Sequence, residues 1–169
     1  FWNYLKLKEV CFSKQKFNFF LPYAFLFLIF CQISIGAFVS GMDAGKIYNS
    51  WPLMGSTYFP DDNSLLNLFN INAFNDPSLV QFMHRNLSYV IFFFYIFILY
   101  KIYRNKLSSF YLPTKIIGSL LILQIALGIF TLLYGAQIIL ASMHQINSIF
   151  LVSSCIYFLY LNSESNLQP

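Results

Sequence analysis

Four stretches of the chain, residues 19–40, 79–100, 116–134 and 138–161, are apolar almost without interruption. A helix crossing a bilayer needs roughly 20 such residues, and each stretch meets that length. The pattern predicts an all-α protein, a transmembrane four-helix bundle spanning residues 19–161, with a basic segment over 1–18 and a short tail over 162–169. The connections are unequal. A long loop, residues 41–78, joins the first two spans, a basic link joins the second to the third, and a tight turn around Gly135 joins the last two. Long loops in compact domains are usually functional. This one carries Trp51-Pro52, Tyr58, Phe59-Pro60 and the run Leu65-Leu66-Asn67-Leu68-Phe69, whose spacing predicts a short amphipathic helix at the membrane interface. Its apolar content is too high for a solvated linker, so Trp51 and residues 65–69 are expected to fold back as a lid over the bundle mouth.

Composition excludes a soluble domain. Hydrophobic residues make up 58% of the chain and charged residues 9%, against about 25% charged in soluble proteins. The net charge of +4 does not indicate nucleic acid, because of where the charges lie. Lys6, Lys8, Lys14 and Lys16 precede the first span, and Lys101, Arg104, Lys106 and Lys115 crowd the link between the second and third. Eight of the ten basic residues therefore fall on one side, which the positive-inside rule makes the inner one. Both ends of the chain are then inside and residues 41–78 outside, in a bacterial plasma membrane or, alternatively, a mitochondrial inner membrane. Cys11, Cys31 and Cys155 are odd in number and form no Cys-x-x-Cys pair, which argues against a disulfide framework or a dithiol centre. The basic, aromatic start has no small-residue cleavage site and does not read as a signal peptide.

The spans repeat. Gln32-Ile33-Ser34-Ile35-Gly36-Ala37-Phe38 in the first matches Gln124-Ile125-Ala126-Leu127-Gly128-Ile129-Phe130 in the third at four of seven positions. The second span opens with Met83-His84 and Ser88, the fourth with Met143-His144 and Ser148. The bundle thus reads as two helix hairpins of one design, and fused membrane repeats place binding sites at their shared interface.

Each hairpin contributes one of the chain's two histidines, His84 and His144. Ionisable groups inside spans are costly and mark function. At 1.5 Å per residue both sit roughly 5–10 Å below the outer surface, at matching heights. Two imidazoles at equal depth on related helices fit the axial positions of one six-coordinate b-type haem, whereas zinc asks for three or four ligands and the apolar walls offer no third. Arg85 could pair with a haem propionate or anchor its helix at the interface; Lys46 is a weaker propionate candidate. Gln32 and Gln124 could pack helices together or orient an imidazole.

The strings Gly41-Met42-Asp43-Ala44-Gly45-Lys46-Ile47-Tyr48-Asn49-Ser50-Trp51-Pro52-Leu53-Met54, Val80-Gln81-Phe82-Met83-His84-Arg85, Leu133-Tyr134-Gly135 and His144-Gln145 resemble the C-terminal half of the heme A synthase family. The resemblance covers nearly the whole chain. It implies an eight-helix protein of two four-helix halves that oxidises the methyl group of heme O to the formyl group of heme A, for cytochrome oxidase biogenesis. For this half it implies a haem b held by His84 and His144. In the family's other half a glutamate stands three residues before the first histidine; here that position is Gln81, which cannot act as acid or base. The substrate-handling N-terminal half is absent from this sequence, so residues 1–18 read as an inter-half linker and this piece alone is not expected to turn over. Membrane lipid, the N-terminal half, heme O synthase, oxidase-assembly proteins and a homo-oligomer are the partners this reading admits, and nucleic acid is not. A free-standing single-haem membrane cytochrome, or a non-catalytic oxidase-assembly module, is the alternative.

The topology is testable with single cysteines placed at Ser64 and Ser109 in intact cells. Residue 64 is expected to react with an impermeant thiol reagent from outside and residue 109 to be protected; labelling of residue 109 from outside would reverse the assignment.

Overall fold

The computed structural model describes residues 1–7, 17–18 and 20–163. Lys8, Lys14, Lys16, Cys11 and Phe19, and the tail beyond residue 163, lie outside the described residues. Five α-helices are present among those described: α1 Trp2–Leu7, α2 Phe20–Gly41, α3 Pro77–Arg104, α4 Tyr111–Leu133 and α5 Ile138–Ser163. The last four are long and apolar enough to cross a membrane. Short 3₁₀ turns occupy the connections. The short helix α1, inside what the sequence presents only as a basic segment, packs against α5.

The helix ends follow from backbone chemistry rather than hydropathy. Asp76 caps α3, its carboxylate accepting from the Leu79 amide at 3.0 Å, and Pro77 occupies the first turn, where its missing N–H costs nothing. At the other end α3 runs on beyond the span read from the sequence, through Lys101 and the buried Ile102 to Arg104. It stops only where Lys106 turns left-handed (φ 52°), with the Lys106 amide donating to Tyr103 O and the Leu107 amide to Ile102 O. This paired closure is the Schellman motif. Helix α4 ends the same way: Gly135 (φ 66°) donates to Leu132 O and Ala136 to Thr131 O. The tight turn expected around Gly135 is this motif, and it sends the chain directly into α5.

Helices α2 and α3 form one intimately packed hairpin and α4 and α5 the other, with slighter contacts between the two. The fully buried apolar cluster lies at the end of the bundle away from the long loop. It comprises Phe25 and Ile29 of α2, Ile91 to Ile102 of α3, Ile117 and Leu121 of α4, and Leu151 to Leu161 of α5. Outward faces carry Phe27, Phe93, Ile122 and Ile149, all well exposed. Lipid is as apolar as these side chains, so close packing and hydrogen bonds, not hydrophobic transfer, must hold such helices together. One joint shows how. A Cβ on Gly118 would lie 2.2 Å from the Tyr95 hydroxyl oxygen, and that hydroxyl donates to the carbonyl of Thr114 at 3.0 Å. Glycine lets α3 approach α4 closely enough for the bond, which in membranes contributes roughly 0.6 kcal/mol on average.

The long loop departs from expectation in one part. Residues 65–69 do not form an amphipathic helix packed over the bundle. They give a single 3₁₀ turn at Asn67–Phe69, followed by a second at Ile71–Asn75, and Leu65, Leu66 and Phe69 are largely exposed. Asparagine is the physical reason. Asn70 adopts an extended conformation and its side chain accepts from the Asn72 amide, restarting the chain in a new turn before a helix can propagate. Trp51, by contrast, lies against α3, its indole N–H donating to the Tyr89 hydroxyl at 3.0 Å.

Candidate functional site

Both histidines lie near the loop end of the bundle, beyond the buried apolar cluster, and each is embraced by its own hairpin in the same manner. In the first, the Gln32 side-chain amide lies 3.2 Å from His84 Nε2 and donates to the His84 carbonyl at 3.0 Å. In the second, the Gln124 amide lies 3.2 Å from His144 Nε2 and donates to the His144 carbonyl at 3.0 Å. One helical turn further along α2 and α4 stand Gly36 and Gly128. A Cβ on either would sit 3.1 Å from the Cε1 of its imidazole, so each ring rests in a cradle that any larger residue would press upon. Ser88 and Ser148 repeat too, each hydroxyl donating at 2.6 Å to the carbonyl three residues back. The residue match read from the sequence is thus a match of contacts.

The donor set is two imidazoles; among the described residues no three His, Cys, Asp or Glu side chains cluster. Buried polar atoms without a partner also gather here: His84 Nδ1 and Gln32 Oε1. Unpaired polar atoms in an apolar setting are costly. Two imidazoles in matching glycine cradles, the first with a ring nitrogen and a glutamine oxygen left without partners, are chemically suited to ligate a haem iron.

Residues 1–156 match the family model described as cytochrome oxidase assembly protein. The chain belongs to that family. It is 39% identical over 170 residues to the heme A synthase of Pelagibacter ubique, an alignment that takes in 98% of this chain and 48% of the relative. The Rickettsia prowazekii heme A synthase is 38% identical over 80% of the chain and 41% of its own length, and that of Roseobacter denitrificans 39% identical over 71% and 31%. The chain therefore spans about half the length of the curated relatives it matches, or less. No solved structure matches it. With four spans and bacterial relatives, this family member is a multi-pass protein of the bacterial plasma membrane.

Within this cytochrome oxidase assembly family member, the segment after α2 is stapled onto α3 by Arg85. Its guanidinium donates to the carbonyls of Ser50 (2.9 Å), Leu53 (3.2 Å) and Tyr48 (3.0 Å), its Nε remaining buried. These partners are backbone carbonyls, so the residue holds a loop. Gln81, buried three residues before His84, donates to the same Tyr48 carbonyl at 3.1 Å. Asn49 extends the staple to the second hairpin, donating at 2.8 Å to Leu132 O, a carbonyl in the last turn of α4 that also accepts from the Gly135 amide. Lys46 is exposed and pairs with Asp43 at 2.8 Å. Further along, Tyr48 donates to Asp61; burial and that bond push its phenol up to about 12. Ser78 donates to Asp62 at 2.5 Å. Burial alone would raise the Asp62 carboxyl, but bonds from Ser78, Asn63 and Tyr48 reverse this and hold it below the ordinary value.

Sequence reasoning did not single out Asn147, which donates to Gln124 Oε1 at 2.6 Å and to Leu120 O at 3.0 Å. Its signal was an asparagine one turn past a histidine inside an apolar span.

Replacing Arg85 by glutamine removes hydrogen bonds to a charged group, worth about 1.5–3 kcal/mol each. Hydrogen exchange of the amides over residues 48–54 is expected to speed up at least about tenfold while the helices stay protected. Unchanged exchange over that segment would show that the staple does not hold the loop.

Proposed function

We propose that this chain is the haem b-binding half, the C-terminal one, of a heme A synthase, working with a second four-helix half that carries the substrate haem. The observation that supports it best is the duplicated clamp, Gln32–Gly36–His84 and Gln124–Gly128–His144, with equal distances in the two hairpins. A haem b held there supplies one-electron chemistry to the oxidation of heme O to heme A.

The chain's own residues do the rest. His84 and His144 would hold the haem iron through imidazole nitrogens, one from each hairpin. The glutamine amides hold each histidine's backbone through its carbonyl, and the glycines set how near each ring lies to the neighbouring helix. Arg85 and Gln81 keep residues 48–53 over the start of α3 and so limit water entry from the loop end. Gln81 holds the loop as an amide donor and moves no proton, which assigns the substrate chemistry to the other half. With residues 41–78 on the outer side, the haem lies in the outer leaflet. Lipid surrounds the bundle; heme O synthase, oxidase-assembly proteins or a second copy of the enzyme are the partners to seek.

The test uses the full-length protein purified after haem-sufficient expression. His84→Ala and His144→Ala are each expected to abolish one low-spin haem b signal, by conversion to high spin or by loss of the haem. Retention of the wild-type low-spin spectrum and haem content in both variants would overturn the proposal.

A further inference from the structure

Residues 62–78 close into a finger at the start of α3. The Ser78 hydroxyl donates to Asp62 at 2.5 Å, and the Asn63 amide donates to Asp76 at 3.1 Å; Asp76 in turn caps α3. The acids Asp61, Asp62 and Asp76 all stand at this base, and residues 63–75 contain no charged side chain. What the finger presents outward is apolar. Leu66, Phe69 and Ile71 are 83%, 87% and 84% exposed, and Leu65 is well exposed too. Its asparagines are engaged within the finger instead: Asn67 donates to Asn63 Oδ1 at 3.2 Å, and Asn70 accepts from the Asn72 amide at 3.0 Å. A loop bathed in water has the opposite arrangement, and exposed apolar side chains gathered within residues 65–71 mark an interaction surface.

The finger's position decides what covers that surface. The Phe74 ring lies 5.8 Å from that of Phe38 on α2. Phe38 stands three residues before the end of α2, about 4.5 Å below it at 1.5 Å per residue, and is itself half exposed on a membrane-spanning helix. The finger therefore rests against an exposed side of α2 at the level where the span ends, and its apolar surface continues one that lipid covers. Aromatic and aliphatic side chains at that level dock into the boundary between headgroups and acyl chains. A lipid surface asks for no charge and no directional hydrogen bond, which matches a tip that has no charge and turns its asparagines inward.

We propose that residues 64–75 form an interfacial anchor, whose Leu66, Phe69 and Ile71 side chains enter the leaflet at the loop end of the bundle. Four spans cross the bilayer whatever the histidines hold, so the anchor does not depend on a haem. Asp76 both closes the finger and caps α3, and docking of the tip thereby fixes the start of the helix that carries His84.

The experiment takes full-length protein with its native cysteines replaced by serine, one environment-sensitive fluorophore attached at Phe69→Cys, and vesicles of phosphatidylcholine and phosphatidylglycerol. Ile71→Cys is the second labelling site. Both side chains are almost fully exposed, so neither substitution removes packing that the fold needs. A nitroxide on the upper acyl chain of part of the lipid is expected to quench the label at either position more strongly than aqueous iodide does. Stronger quenching by iodide would put the finger in water. Protection from both quenchers would put it against protein, either another part of the full-length chain or a second copy. Each of these two results would overturn the anchor.

Discussion

The joint on which the structure depends is a glutamine side chain that reaches across one hairpin to a histidine, facing its ring nitrogen and donating to its carbonyl. In lipid this joint does two things at once. It gives polar groups partners where water cannot, and it fixes the approach of two helices whose apolar surfaces have no preference for each other over lipid. The neighbouring glycine is a condition of that approach: a methyl group at Gly36 or Gly128 would sit 3.1 Å from the imidazole. Everything at the loop end is arranged around two such joints.

The opposite ends of the bundle have different work. Away from the loop, Phe, Ile and Leu side chains fill the interior, and the Tyr95–Thr114 bond over Gly118 ties α3 to α4. At the histidine level polar residues replace them, and the segment after α2 supplies the cover. That cover is a fold of backbone held by Arg85, Gln81 and Asn49, so a single guanidinium organises the carbonyls of Tyr48, Ser50 and Leu53. Duplication gives the two hairpins a common geometry, and Asn147, which donates to Gln124 Oε1 and Leu120 O, marks one place where they part, since Leu87 stands at that position in the first.

The spans and the matching surroundings of His84 and His144 were legible because they rest on residue identity: runs of apolar side chains, and Gln, Gly and His recurring in order. The helix ends were not. The span read from hydropathy closes at Tyr100, but the helix runs on to Arg104 and stops where its backbone finds a left-handed residue, here Lys106. Arg85 was legible as a cation at an interface, but its partners are carbonyls, which every residue has, so no side chain announced them. The apolar run at 65–69 suggested a helix and a lid; the asparagine at position 70 outweighed it by restarting the turn, and those side chains stay outside. Tyr48, Asp61, Asp62 and Ser78 form a network only because the loop folds over α3, a tertiary fact with no local signature.

The central claim is that two clamps close on one group. Its most direct measurement is the distance between the coordinating nitrogens of His84 and His144 in an experimental structure of the haem-loaded protein. Two metal–imidazole bonds of roughly 2 Å each predict about 4 Å, with the iron between them. Iron bound by one histidine alone, or imidazoles turned apart into lipid, would contradict it.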